Sequence, residues 1–240
     1  MAQHEQRGPR SALLDGFSWL EYAFQPAGQP VPAAAAYGQQ RHSANVVLAS
    51  QNLPPKSCES DGVIGENGLP VAVYTADCLP VLFADPQQHQ VAAVHAGLQG
   101  TLGGVLNSAI DRLVERGARY ETLRVAIGPA IGPCCYELGK DRIAHMQDRD
   151  DLPPLRWSTE QPHNAQAIRP QARAQQEGIW FDLPQLARGL LLQRGLLAEH
   201  IEVLGVCTYC MAESQSSYRY NTHFDSGYQS RFSWIRSLEE

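Results

Sequence analysis

No apolar run in this chain approaches the roughly 20 residues a membrane-spanning helix needs; the longest are of strand length. Residues 1–10 carry charges and no apolar stretch, so no secretory signal is expected and the chain reads as soluble and cytoplasmic. Basic charge is also short. Nineteen Lys and Arg against 25 Asp and Glu give a formal net charge of −6, which leaves no basic patch for nucleic acid or an anionic membrane. No linker divides the chain cleanly. That predicts one domain over 1–240, long enough to bury a substantial core. Cysteines are few: Cys58, Cys78, Cys134, Cys135, Cys207 and Cys210 read as thiols or metal ligands rather than a disulfide framework. Cys207 and Cys210 have CxxC spacing, but a closed zinc site needs two further ligands. Adjacent Cys134 and Cys135 in extended chain would point opposite ways, so the CxxC is expected to be an oxidation-prone pair.

What the chain does have is a concentrated stretch from Val71 to Thr101. Two apolar segments, Leu79 to Ala84 and Gln90 to Val94, flank Asp85-Pro86-Gln87-Gln88, with Asp and Pro where a type I turn wants them. With the turn centred between Pro86 and Gln87, antiparallel pairing sets Cys78 opposite His95 on one face, Cβ atoms roughly 5 Å apart. One metal ion could bridge them; the plainer reading is a small buried thiol and a strand-end histidine. Beyond His95, Gly97 and Gly100 allow a tight turn. Leu102, Val105, Leu106, Ala109, Ile110, Leu113 and Val114 then repeat at helical spacing from Thr101 to about residue 116. Such a helix start would favour an anion, phosphate or carboxylate, near the Cys/His pair.

Upstream, Phe17 to Phe24 reads as a core strand, and His42 leads into Val46-Val47. His42 gains weight because catalytic zinc usually takes three protein ligands, and a Cys with two His also suits copper. Asp61 to Gly65 reads as a turn, and Pro70 to Tyr74 as a buried strand entering the hairpin. Leu123 to Ile127 is a strand opening into the Gly- and Pro-bearing loop 128–137, followed by a helix from about Tyr136 to Met146. Residues 147–178 are polar with four prolines and no steady period: a surface excursion. Asp182 is placed to cap a Leu-rich helix through Arg194, and Ile201 to Val206 is a further strand. The tail sets Arg219 and Arg231 among aromatic residues, as solvated charges or as clamps for a phosphate.

Thr75-Ala-Asp-Cys-Leu-Pro, Ala93-Val-His-Ala-Gly97 with Gly100-Thr101, Ile127-Gly-Pro-Ala-Ile-Gly-Pro-Cys-Cys-Tyr-Glu137, Phe181-Asp-Leu183, Cys207-Thr208 and Ser217-Tyr-Arg219 occur together, with Asp61-Gly62 upstream. In this combination the chain resembles the YfiH-like family, also called laccase-domain proteins, bacterial polyphenol oxidases or peptidoglycan-editing factors. The resemblance spans most of the chain from about Gln40. It implies an α/β fold, a single-domain layered sandwich of mixed sheets flanked by helices. It also implies a zinc site on His42, Cys78 and His95, with copper as the alternative occupant. The family's Ser-Tyr-Arg segment falls on Ser217 to Arg219 and its terminal arginine on Arg231. Ser43 stands where the family has Gly after the first ligand, and Leu98-Gln99 where it has Trp-Arg.

The activity implied by the resemblance is phosphorolysis of purine nucleosides (adenosine, inosine, guanosine and methylthioadenosine) together with deamination of adenosine. Zinc on His42, Cys78 and His95 would lower the pKa of water for attack at purine C6. Gly100, Thr101 and Arg219 or Arg231 would hold phosphate below the ribose C1′. Asp77 is a proton carrier or a cap for backbone N–H groups. Two rivals stand beside this: copper oxidation of phenols, for which the six histidines beyond His42 and His95, none in paired spacing, are a poor supply, and a Cys78/His95 thiol amidase acting on cell-wall precursors. Small-molecule partners are expected, with neither nucleic acid nor membrane; the oligomeric state is not legible.

Overall fold

A computed structural model describes residues 8–176, 178–211 and 216–238. In chain order its first strands are β1 (Leu20–Phe24), β2 (Val46–Leu48), β3 (Gly62–Ile64), β4 (Val71–Thr75), β5 (Leu79–Asp85) and β6 (Gln90–Ala96). The later ones are β7 (Arg124–Ile127), β8 (Glu137–Leu138), β9 (Trp157–Ser158), β10 (Ile179–Phe181), β11 (Ile201–Val203) and β12 (Arg231–Ser237). The helices are α1 (Ala12–Asp15), α2 (Leu98–Leu102), α3 (Val105–Glu115), α4 (Lys140–Gln147), α5 (Leu183–Gln193) and α6 (Tyr218–Phe224).

The central element is a six-stranded mixed sheet in the order β11-β7-β5-β6-β3-β2. All of β5 is buried, because both faces of this sheet are covered. Leu79, Val81, Phe83, Val94, Ala96 and Ile127 pack with the apolar stripes of α3 and α5 on one face. Leu82, Ala84, Val91, Ala93 and Ala126 project from the other face onto Tyr22, Phe24, Val73 and Ile235 of a second sheet, β1-β12-β4. A third small sheet, β8-β10-β9, contributes Leu138, Ile179 and Phe181 to the core shared by the central sheet, α3 and α5. This is the mixed α/β sandwich expected. Asp182 caps α5 as read from the sequence, accepting from the Gln185 N–H at 3.0 Å. Such a cap contributes about 1 kcal/mol.

Several local expectations are corrected. β5 pairs β6 with Leu79 opposite Ala96 and Pro80 opposite His95, so the connection is the loop 86–89 and the register lies two residues from that expected. Cys78 and His95 are therefore not directly opposed. A shift of two preserves the side-chain face, as one residue would not, and both still reach the same site. Residues 62–64 form β3 rather than a turn. The buried strand expected at 70–74 is β4, and it pairs with β12 in the second sheet. The helix expected from Thr101 begins earlier, at Leu98, and breaks at Gly103-Gly104, where Gly104 takes φ 92° and α3 starts afresh. Tyr136 to Gly139 precede α4 rather than opening it. Cys134 and Cys135 lie in a helical turn, closed by Cys135 and Tyr136 N–H groups on the Gly132 carbonyl at 2.9 and 3.0 Å. They are not in extended chain, so they do not point opposite ways. No helix among the described residues is long and apolar enough to cross a membrane.

Candidate functional site

His95 is buried near the end of β6 on the face turned toward the second sheet, and Asp61 lies opposite it, just ahead of β3. The Asp61 carboxylate meets His95 Nδ1 at 2.7 Å, which leaves Nε2 as the ring's ligand atom. The same carboxylate accepts the N–H groups of Arg41, His42 and Ser43 at 3.1, 2.9 and 2.8 Å and the Ser43 hydroxyl at 2.7 Å. Burial pushes Asp61 up, but the bonds from His95 and Ser43 and from the Arg41 N–H outweigh it and hold the carboxyl well below the usual carboxylate range. Four donors thus fold the 41–43 turn around one anion, and His95 is the fifth to reach it. His42 is the residue placed in the left-handed region, at φ 59°. Ser43, standing where the resemblance has glycine, is integral to the turn.

Cys78 follows Asp77, which is also left-handed at φ 94°. The Cys78 Sγ lies 3.7 Å from His42 Nε2, and the rings of His42 and His95 meet at 4.9 Å between centroids. One ligand atom from each of His42, Cys78 and His95 lies within 4.8 Å of the others. Burial, with the negative charges of Asp77 and Asp61, pushes the Cys78 thiol up to about 12. Burial and the nearby His95 ring push His42 down, favouring the neutral ligating imidazole. This donor set suits one borderline-soft divalent ion: two imidazole nitrogens, one thiol that a cation would ionise, and a carboxylate fixing one ring from behind. Gly97 permits the close approach. A Cβ there would stand 2.7 Å from Cys78 Sγ and 2.7 Å from His42 Cδ2.

Asp77 is buried and accepts from the Thr208 hydroxyl at 2.6 Å, the Ser217 hydroxyl at 3.0 Å and the Arg219 N–H at 2.6 Å. Burial raises its pKa despite these bonds. It ties the turn before Cys78 to the start of α6, the capping arrangement among the two readings. Arg219 lines a cleft with Cys78, Leu98, Ile131 and Tyr136. Its guanidinium lies 5.4 Å from the Tyr136 ring centroid and donates to the Glu137 carbonyl at 3.1 Å. Burial foremost pushes the Tyr136 phenol up to about 12. Arg231 is instead buried in β12, donating to the Gln25 carbonyl at 2.7 Å, and is not among the residues lining the cleft. Gly100 and Thr101 lie inside α2 rather than at its start. The Thr101 N–H is spent on the Gly97 carbonyl at 2.8 Å, and the N–H groups without helical partners are those of Leu98, Gln99 and Gly100. Asp61 and Tyr136 went unassigned in the sequence; only the Asp61-Gly62 and Cys-Tyr-Glu segments of the resemblance touched them.

Fold and site together define a mixed α/β sandwich with a three-residue metal-competent cluster beside a cleft. The chain belongs to the family described as multi-copper polyphenol oxidoreductase laccase, which matches residues 23–236. A purine nucleoside phosphorylase of Xylella fastidiosa (strain 9a5c) is 32% identical over 169 residues, 70% of this chain and 57% of the relative. A purine nucleoside phosphorylase of Homo sapiens is 29% identical over 180 residues, 72% of this chain and 37% of that one. The matched parts therefore span well under two thirds of these relatives. Among solved structures, YlmD from Geobacillus stearothermophilus superposes with a TM-score of 0.69 at 26% identity, covering 86% of this chain and 74% of that chain.

Proposed function

We propose that the chain is a metal-dependent purine nucleoside phosphorylase, with zinc on His42, Cys78 and His95 and with adenosine deamination as a second outcome at the same site. The observation that carries this reading is the convergence of these three ligating side chains beside a cleft holding a cation, Arg219, and a phenol donor, Tyr136. The names of the curated relatives support it. Zinc bound there would supply Lewis acidity and lower the pKa of water.

The chain's own residues would do the rest. Arg219 offers charge-assisted hydrogen bonds to phosphate. Leu98, Ile131 and Leu183 give the cleft apolar walls that hold a purine and exclude water from the glycosidic bond. Tyr136 is positioned to donate a proton to the departing base. Asp77, through Thr208, Ser217 and Arg219, fixes the floor against which these groups are aligned.

Copper oxidation of phenols remains the second reading, favoured by the family's description and by the mixed Cys/His donor set. The other described histidines do not gather into a further copper cluster: His89 stacks on Trp19, His200 accepts from Arg124 and His223 is hydrogen-bonded to the Tyr209 hydroxyl. A Cys78 nucleophile fits less well, because burial pushes its thiol up and away from the thiolate form. The test is to incubate the metal-loaded chain with inosine or adenosine, with and without inorganic phosphate. Free base and ribose 1-phosphate should form only with phosphate. Base release that ignores phosphate would overturn the phosphorylase reading.

A further inference from the structure

A second cluster lies apart from the cleft. Cys134 and Cys135 of the 128–137 loop and Cys207 and Cys210 after β11 bring four sulfurs within 4.8 Å of one another, all four residues buried. Cys135 Sγ is 3.0 Å and Cys134 Sγ 3.8 Å from Cys210 Sγ. A tetrahedral zinc ion with bonds of about 2.3 Å sets its sulfurs about 3.8 Å apart, whereas a disulfide needs about 2.05 Å. Two backbone N–H groups point at the sulfurs: Gly132 at Cys207 Sγ, 3.3 Å, and Ala172 at Cys135 Sγ, 3.4 Å. Four buried thiols without a cation would leave these donors facing poor acceptors. Thiolates on a metal accept such bonds well. The helical turn at Gly132 is what lets neighbouring cysteines face one point.

We propose that Cys134, Cys135, Cys207 and Cys210 form a closed tetrathiolate zinc site whose task is structural. No position is left for water or substrate, and tetrahedral sulfur coordination is characteristic of zinc. The ion would join two loops about 70 residues apart in sequence, at the bridge between Ala130 and Cys207. These loops form the wall behind the cleft: the Ile131 N–H bonds the Asp77 carbonyl at 2.9 Å and the Thr208 hydroxyl its carboxylate at 2.6 Å. The turn carrying Cys78 is therefore braced by the second site.

The test uses the full chain purified without chelator or added metal. In the double variant His42→Ala/His95→Ala, which leaves the four cysteines untouched, elemental analysis should find one zinc per chain. X-ray absorption should report four sulfur neighbours at about 2.3 Å. Adding Cys207→Ser and Cys210→Ser should abolish that zinc. A double variant without metal, with its thiols all free or paired as disulfides in the denatured mass and thiol titration, would overturn the proposal. So would zinc with nitrogen or oxygen neighbours.

Discussion

Asp61 and His95 face each other where β3 and β6 pair and are joined twice: the His95 N–H reaches the Asp61 carbonyl at 2.6 Å, and His95 Nδ1 meets Asp61 Oδ1 at 2.7 Å. A main-chain ladder thus sets the position of an imidazole, while a carboxylate sets its tautomer. The same carboxylate folds the 41–43 turn, so one buried anion orients two of the three metal-competent residues.

Asp61→Asn keeps the shape and removes the charge. Metal affinity of the His42/Cys78/His95 cluster should fall by about 10- to 100-fold, read by competition with a chelator; an unchanged affinity would refute the orienting role. Stability should respond with a definite sign. Native Asp61 is held below the usual carboxylate range, so its contribution is fully present above about pH 3.9 and is lost as pH falls through the lower native value. The Asn variant should lose this acid-side slope in denaturant melts below about pH 4, relative to the parent.

Gly97→Ala places a methyl group 2.7 Å from Cys78 Sγ and from His42 Cδ2, with backbone φ unproblematic at −70°. The cost to folding should be about 1–3 kcal/mol of overpacking. Metal affinity should fall at least about tenfold as the two ligands separate. Chelator competition that matches the parent would show that the close approach is not needed.

Loading the cluster must displace the Cys78 proton, because that thiol is pushed up to about 12. Below that value metal affinity should weaken about tenfold for each unit the pH falls, and more steeply once His42 protonates. Titration in weakly buffered solution near pH 8 should show about one more proton released per ion from this cluster in the parent than in Cys78→Ser, over any proton given up by a zinc-bound water. Equal release from the two proteins would contradict it.

Arg219 and Arg231 should separate cleanly. Arg219→Ala should lower kcat/KM for phosphorolysis by about 10- to 100-fold, chiefly through KM for phosphate, the loss of about 1.5–3 kcal/mol of charge-assisted hydrogen bonding. Arg231→Ala should lower Tm, because its buried guanidinium anchors the Gln25 carbonyl, and should leave the phosphate KM of the folded protein unchanged. The reverse pattern would move the phosphate site to Arg231.

The sequence carried the parts of this site that are local. Apolar segments around Asp85-Pro86 marked the hairpin, and period-two alternation preserved the Cys78/His95 face although the loop proved longer than a simple turn. Asp61 was not legible, because its role arises only when β3 pairs with β6, thirty-four residues away. The four-cysteine cluster was obscured by treating residues 134–135 as extended, where Gly132 closes a helical turn. Arg231 reads like Arg219 in sequence; only the pairing of β12 with β4 and β1 buries one and leaves the other at the cleft.

The most direct measurement is an anomalous difference map at the zinc edge from crystals of the chain grown without chelator. A peak within coordinating distance of His42, Cys78 and His95 together, lost in His95→Ala crystals, is the expected result. A map with no density at that triad in zinc-supplemented crystals, or a peak that leaves one of the three side chains out, would contradict it.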